Sequence, residues 1–206
     1  MTDPAATGNL GVWTGPFLAA ALALIPSGFA KLRAPEPAAR ALGAVGLPVP
    51  QWSVRAFAAL ECTAGSAAVV FGGRVTAALV AALYGAFAVF LTALLRAPER
   101  VESCGCAGDR RIAPSGLHLT LVVGAAVAAG GAAVEHLGGA PEILRAAPLA
   151  ATGTLVGAAV LVFTSFLVAT ELPGALSAYR AGAAPGPAPA PTSRGPTRRF
   201  SMDRPR

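Results

Sequence analysis

Apolar residues along this chain gather in five runs of about 17 to 25 residues, a length that crosses a bilayer as a helix, and most charges fall between the runs. The runs cover about Val12–Ala30, Ala56–Gly72, Val75–Leu95, Leu117–Val134 and Leu149–Thr170. Charged positions border them instead of recurring on one face within them, which sets the pattern apart from the amphipathic helices of a soluble core. No run alternates apolar and polar residues as a barrel strand does. The expected fold is all-α, a polytopic integral membrane protein with a four-helix transmembrane bundle plus a fifth transmembrane helix. Residues 1–11 form a short N-terminal segment and 12–175 the transmembrane domain. Residues 176–206 form a disordered basic tail rich in Pro, Ala and Gly, a composition that cannot bury a core.

Composition sharpens this picture. Of 206 residues, 54% are hydrophobic and only 6% aromatic, with Ala and Gly carrying much of the apolar count. Small residues suit helices packed closely in lipid. The net charge of +6 raises the question of nucleic acid, but no scaffold for a basic groove is visible, and cations bordering apolar spans follow the positive-inside rule. Residues 1–11 contain no Lys or Arg, whereas Lys31 and Arg33 follow the first span directly, so that span reads as an anchor inserted N-terminus out. Five spans then put Lys31, Arg33, Arg40, Arg96, Arg100, Arg110, Arg111, Arg180 and the tail arginines on the cytoplasmic side of the cell membrane. Only Arg74 and Arg145 fall outside, with Arg55 at the inner edge of the second span.

Candidate chemistry concentrates in Ser103-Cys104-Gly105-Cys106-Ala107-Gly108, a loop that this topology makes cytoplasmic. Gly105 and Gly108 allow positive φ, so both sulfurs can turn toward one partner. Arg110 and Arg111 favour the thiolate, while Glu102 and Asp109 oppose it. A disulfide between residues i and i+2 closes a small strained ring, which suits thiol exchange better than stapling. Metal binding needs more ligands, and His118 is the nearby imidazole. An inert turn is the third alternative. His136 reads as an interfacial residue beside Glu135 and carries no assigned role.

Glu61, within the second span, must face protein or water, because a carboxylate at a helix centre costs about 2.5 to 3.5 kcal/mol by insertion scales. Gly65, one turn along, leaves room for a neighbouring helix to approach, and Tyr84 at similar depth is the candidate partner. A protonated Glu61 that donates a hydrogen bond is as well favoured as a carboxylate. It is either an intramembrane proton or electron-acceptor contact, with a quinone headgroup in view, or an interhelical hydrogen bond. Cys62 reads as a small buried hydrophobe. Lys31 either snorkels to the interface or places a cation near the thiol loop, and Pro26 is expected to bend the first helix.

Ser27-Gly28 with Lys31-Leu32, Gly46-Leu47-Pro48, Glu61 ahead of a small-residue helix, and Ser103-Cys104-Gly105-Cys106 together resemble the methylamine utilisation MauE proteins, grouped with DoxX-like redox-associated membrane proteins. The resemblance covers about residues 13–135. It departs at Ala107-Gly108, where Phe-Gly is common in the family, and in lacking an Arg-Asn pair early in the fourth helix. It implies a membrane thiol-disulfide redox protein with Cys104 and Cys106 as the redox pair. The implied task is maturation of a disulfide-rich amine dehydrogenase subunit, or membrane-linked thiol oxidation more loosely. The implied partners are the lipid bilayer and a thioredoxin-like protein or an immature dehydrogenase subunit. A cytoplasmic loop cannot itself oxidise a substrate on the outer face, and there the charge pattern and the resemblance diverge. A non-enzymatic assembly factor and a small transporter or metal handler are the alternatives.

Overall fold

The computed structural model describes residues 11–97, 103–106, 113–135 and 137–183. His136, the loop charges Arg100, Glu102, Asp109, Arg110 and Arg111, and the tail beyond residue 183 lie outside the described residues. The described residues form seven helices and no strand: α1 (Thr14–Arg33), α2 (Glu36–Ala44), α3 (Gln51–Phe71), α4 (Gly73–Arg96), α5 (Gly116–Glu135), α6 (Ala140–Ala146) and α7 (Pro148–Ala183). Five of them, α1, α3, α4, α5 and α7 over Pro148–Val168, are long and apolar enough to cross a membrane. The all-α multi-span fold expected from the hydropathy pattern is therefore the fold observed.

Two short helices were not expected, and both are set by local chemistry. Pro35 precedes α2 and Pro37 sits in its first turn, where proline costs no hydrogen bond. The helix stops at Gly46, whose φ of +81° completes a Schellman motif. In that motif Gly46 N–H donates to Gly43 O at 3.0 Å and Leu47 N–H to Leu42 O at 3.0 Å. Pro48 and Pro50 then hold the chain extended until α3 starts at Gln51, ahead of the expected Ala56. Hydropathy detected the lipid-facing part of α3 and missed its polar first turn. At the opposite end α6 follows Gly139, with Pro141 in its first turn. The last helix continues to Ala183, past residue 175, where the transmembrane domain was expected to end.

Helix α1 is the hub, packing against α3, α4, α5 and α7, while α4 and α5 form a second tight pair. Phe17, Leu24, Val80, Leu91 and Val122 fill the centre. Outward faces carry exposed Phe71, Val89, Val134 and Phe163, an arrangement that suits lipid and not water. The C-terminal ends of α1 and α4, the N-terminal ends of α3 and α5, helix α2 and the residues 103–106 gather at one end of the bundle. Gly72 and Gly138 bridge at the other end.

Candidate functional site

The site grows from the contact between α1 and α3. A Cβ on Gly28 would lie 2.7 Å from both Ala58 O and Cys62 Sγ, and one on Gly65 would lie 2.7 Å from Ala21 O. Only glycine lets the two backbones approach this closely, as small residues do in membrane bundles. The antiparallel register that results brings Lys31, in the last turn of α1, beside Glu61 at the middle of α3.

Lys31 Nζ donates to both Glu61 oxygens at 2.6 Å. The side chains are 8% and 5% exposed, so the pair is inside the bundle and does not snorkel. Tyr84 is not the partner of Glu61: its hydroxyl donates to Ala20 O at 2.8 Å instead. Lys31 also donates to Ser27 Oγ at 3.3 Å, one turn back on α1, and Ser27 Oγ donates to Cys106 O at 3.0 Å. A chain of hydrogen bonds thus runs from the α3 carboxylate to the backbone of the thiol loop. Charge-assisted contacts of this length are the stronger members of such a network.

Cys104 and Cys106 are joined in a disulfide, their Cα atoms 5.5 Å apart. Residues 103–106 pack into the bundle, leaving Cys104 1% and Cys106 9% exposed. Gly105 allows this with a φ of +70° and by lacking a Cβ, which would collide with the backbone of Ala38 in α2. Gly105 N–H donates to Ser103 Oγ at 3.2 Å. Cys62 stays a free thiol on α3, its sulfur 3.5 Å from Ile25 O.

His118, near the start of α5, lies beside the disulfide. Its ring meets Phe87 edge-on with centroids 5.7 Å apart, and Lys31 Nζ lies 5.6 Å from the centre of the same Phe87 ring. A His118 ring nitrogen and the two sulfurs lie within 4.8 Å of one another. This set supplies only three ligands, and its sulfurs become thiolates only after the disulfide opens. His118 Nδ1 is buried with no hydrogen-bond partner among the described residues.

A cavity of about 570 Å³ adjoins these groups. Lys31, Glu61, Tyr84, Cys106 and His118 line it, and the remaining wall is mostly apolar side chains of α1, α4, α5 and α7. Sequence reasoning singled out Cys104, Cys106, Glu61 and Lys31, and the structure brings all four together. It missed Phe87, the ring that neighbours both the lysine and the histidine, for which the sequence holds no signal. Ser27 had a signal, being four residues before Lys31 on one helix face.

A family model described as methylamine utilisation protein MauE matches residues 9–138, well over half of the chain. The chain belongs to the MauE family. No curated protein and no solved structure gives a match. The MauE-matched segment contains α1 to α5, and with them Ser27, Lys31, Glu61, Cys104, Cys106 and His118. Helix α7 lies beyond the MauE match, yet it contributes Leu161, Val162, Ser165 and Phe166 to the cavity wall.

Proposed function

We propose that this MauE-family membrane protein exchanges disulfides with a protein dithiol through Cys104 and Cys106. The observation that carries the reading is the Cys104–Cys106 disulfide anchored through Ser27 to a buried Lys31–Glu61 pair. A purely structural staple would close a long loop, whereas this one closes only the residues on either side of Gly105 and constrains almost nothing.

In the exchange a substrate thiolate attacks one sulfur, the S–S bond opens, and a mixed disulfide forms. The substrate's second thiolate then displaces the protein sulfur. The substrate leaves as a disulfide, the pair is left as a dithiol, and the two protons of the substrate thiols end on Cys104 and Cys106. Lys31 and Ser27 hold the loop in register through the Cys106 carbonyl, and Lys31 offers a cation near the thiolate that the exchange releases. The substrate we infer is an immature disulfide-rich amine dehydrogenase subunit or a thioredoxin-like protein that serves it. The charge bias favours the cytoplasmic face for this end of the bundle, which makes the thioredoxin-like protein the direct substrate, and the subunit itself would be the substrate only with this end on the outer face.

Single Cys104→Ser and Cys106→Ser variants test the reading. One of them should trap a mixed disulfide with the partner, seen as a slower band on a non-reducing gel and dissolved by dithiothreitol. A Cys104→Ser/Cys106→Ser variant that still supports subunit maturation at normal protein level would make the chain a non-enzymatic assembly factor. The Cys104, Cys106 and His118 cluster supports a second reading, metal handling by the reduced protein. It predicts zinc that co-purifies under reducing conditions and is lost on Cys104→Ser.

A further inference from the structure

We propose that the cavity between α1, α4, α5 and α7 binds a lipid-soluble, two-electron acceptor of the quinone class that reoxidises the Cys104/Cys106 dithiol. The inference rests on the exchange reading above, because a pair that oxidises substrates must return its electrons to something. Cys106 is on the cavity wall, and at about 570 Å³ the space falls within the roughly 300–1,000 Å³ of ordinary small-molecule sites.

The wall divides as an amphiphile with a polar ring and an apolar tail would require. Polar atoms collect at the end near the thiol loop, where Ser27, Lys31, Glu61 and His118 lie. His118 Nδ1, buried and without a partner among the described residues, is free to take a hydrogen bond from or to a ring oxygen. Away from that end the wall is apolar and reaches the outer surface. Gly124 of α5 and Leu161 of α7 line the cavity and are also exposed, and α5 and α7 barely touch. The seam between them is a lateral route from the bilayer, open to a molecule dissolved in lipid and poorly suited to a water-soluble acceptor.

The step balances without a further reactant. The two S–H bonds break as the S–S bond forms, both electrons enter the ring, and both protons end on its oxygens, giving a quinol that leaves by the same seam.

The test uses the full chain in nanodiscs, reduced with dithiothreitol and freed of it. Decylubiquinone should close the disulfide, with quinol formation matching the loss of maleimide-reactive thiols on a one-to-one pair basis. Diamide, a water-soluble oxidant, serves as the reference. An added Cβ at Gly124 meets nothing within 4 Å, so Gly124→Leu projects into open space without moving the backbone. The ratio of the decylubiquinone rate to the diamide rate should fall at least tenfold in Gly124→Leu, and an azido-quinone photolabel should mark α5 and α7 peptides in competition with decylubiquinone. A pair that diamide closes but decylubiquinone does not, an unchanged ratio, or label spread over the outer faces overturns the acceptor site and leaves the exchange reading standing. A pair that neither dithiothreitol opens nor diamide closes overturns both.

Discussion

Breaking the Lys31–Glu61 pair from one side should cost far more than removing it whole. Lys31→Met leaves a carboxylate whose side chain is 5% exposed, and Glu61→Gln leaves an ammonium that is 8% exposed, in each case without its charged partner. Removing one member of a buried pair typically costs about 3–5 kcal/mol, because the remaining charge has lost its compensation. The double variant Lys31→Met/Glu61→Gln buries no charge, and it keeps only the smaller cost of a buried amide that has lost its partner. At roughly 2–4 °C per kcal/mol for a chain of this size, each single variant should melt about 6–20 °C below the parent. The double variant should recover at least half of the combined loss. The assay is thermal unfolding of the purified full chain in one detergent, followed by fluorescence of Trp13 and Trp52 and repeated by circular dichroism. Additive losses, with the double variant as low as the sum of the singles, would refute the claim that the two charges compensate each other inside the bundle.

Two further predictions concern backbone approach. Gly28→Val and Gly65→Val drive a side chain into the facing carbonyls of Ala58 and Ala21, which cannot rotate away. Each should cost about 1–3 kcal/mol in melting experiments, whereas Gly85→Ala, with nothing within 4 Å of the new Cβ, should hold or raise stability. Gly105→Ala meets both a φ of +70° and the backbone of Ala38. The left-handed conformation alone costs about 1–2 kcal/mol, so maleimide labelling of the reduced pair should accelerate by about tenfold as the loop leaves α2.

Hydropathy was enough to find the five spans, because lipid demands long apolar runs and nothing else in the chain imitates them. It was blind to α2 and α6, which are too short and too mixed in composition to register. Their boundaries were nonetheless written in the prolines at 35, 37 and 141 and in the Gly46-Leu47-Pro48 stop. The thiol pair and Glu61 stood out as chemistry that an apolar chain carries only for a reason. What the sequence withheld was register. Depth put Tyr84 in view of Glu61 and left Lys31 at the interface or near the thiol loop, whereas the partner is Lys31 because Gly28 and Gly65 clamp α1 against α3 at one particular offset. A lysine two residues from the end of its helix reads as interfacial until the neighbouring helix is known to extend past that end. The packing of residues 103–106 into the bundle was equally hidden, since it depends on Ala38 of a helix that hydropathy does not reveal.

The central claim is that Cys104 and Cys106 form a working redox pair, and gel-shift labelling with a bulky membrane-impermeant maleimide tests it most directly. Intact cells and opened membranes are labelled with and without prior reduction, in a Cys62→Ser background so that only the pair reports. The account predicts no shift without reduction and a double shift after it, confined to opened membranes. Full labelling without reduction would contradict the redox pair, and a reduced pair that labels in intact cells would instead put this end of the bundle on the outer face.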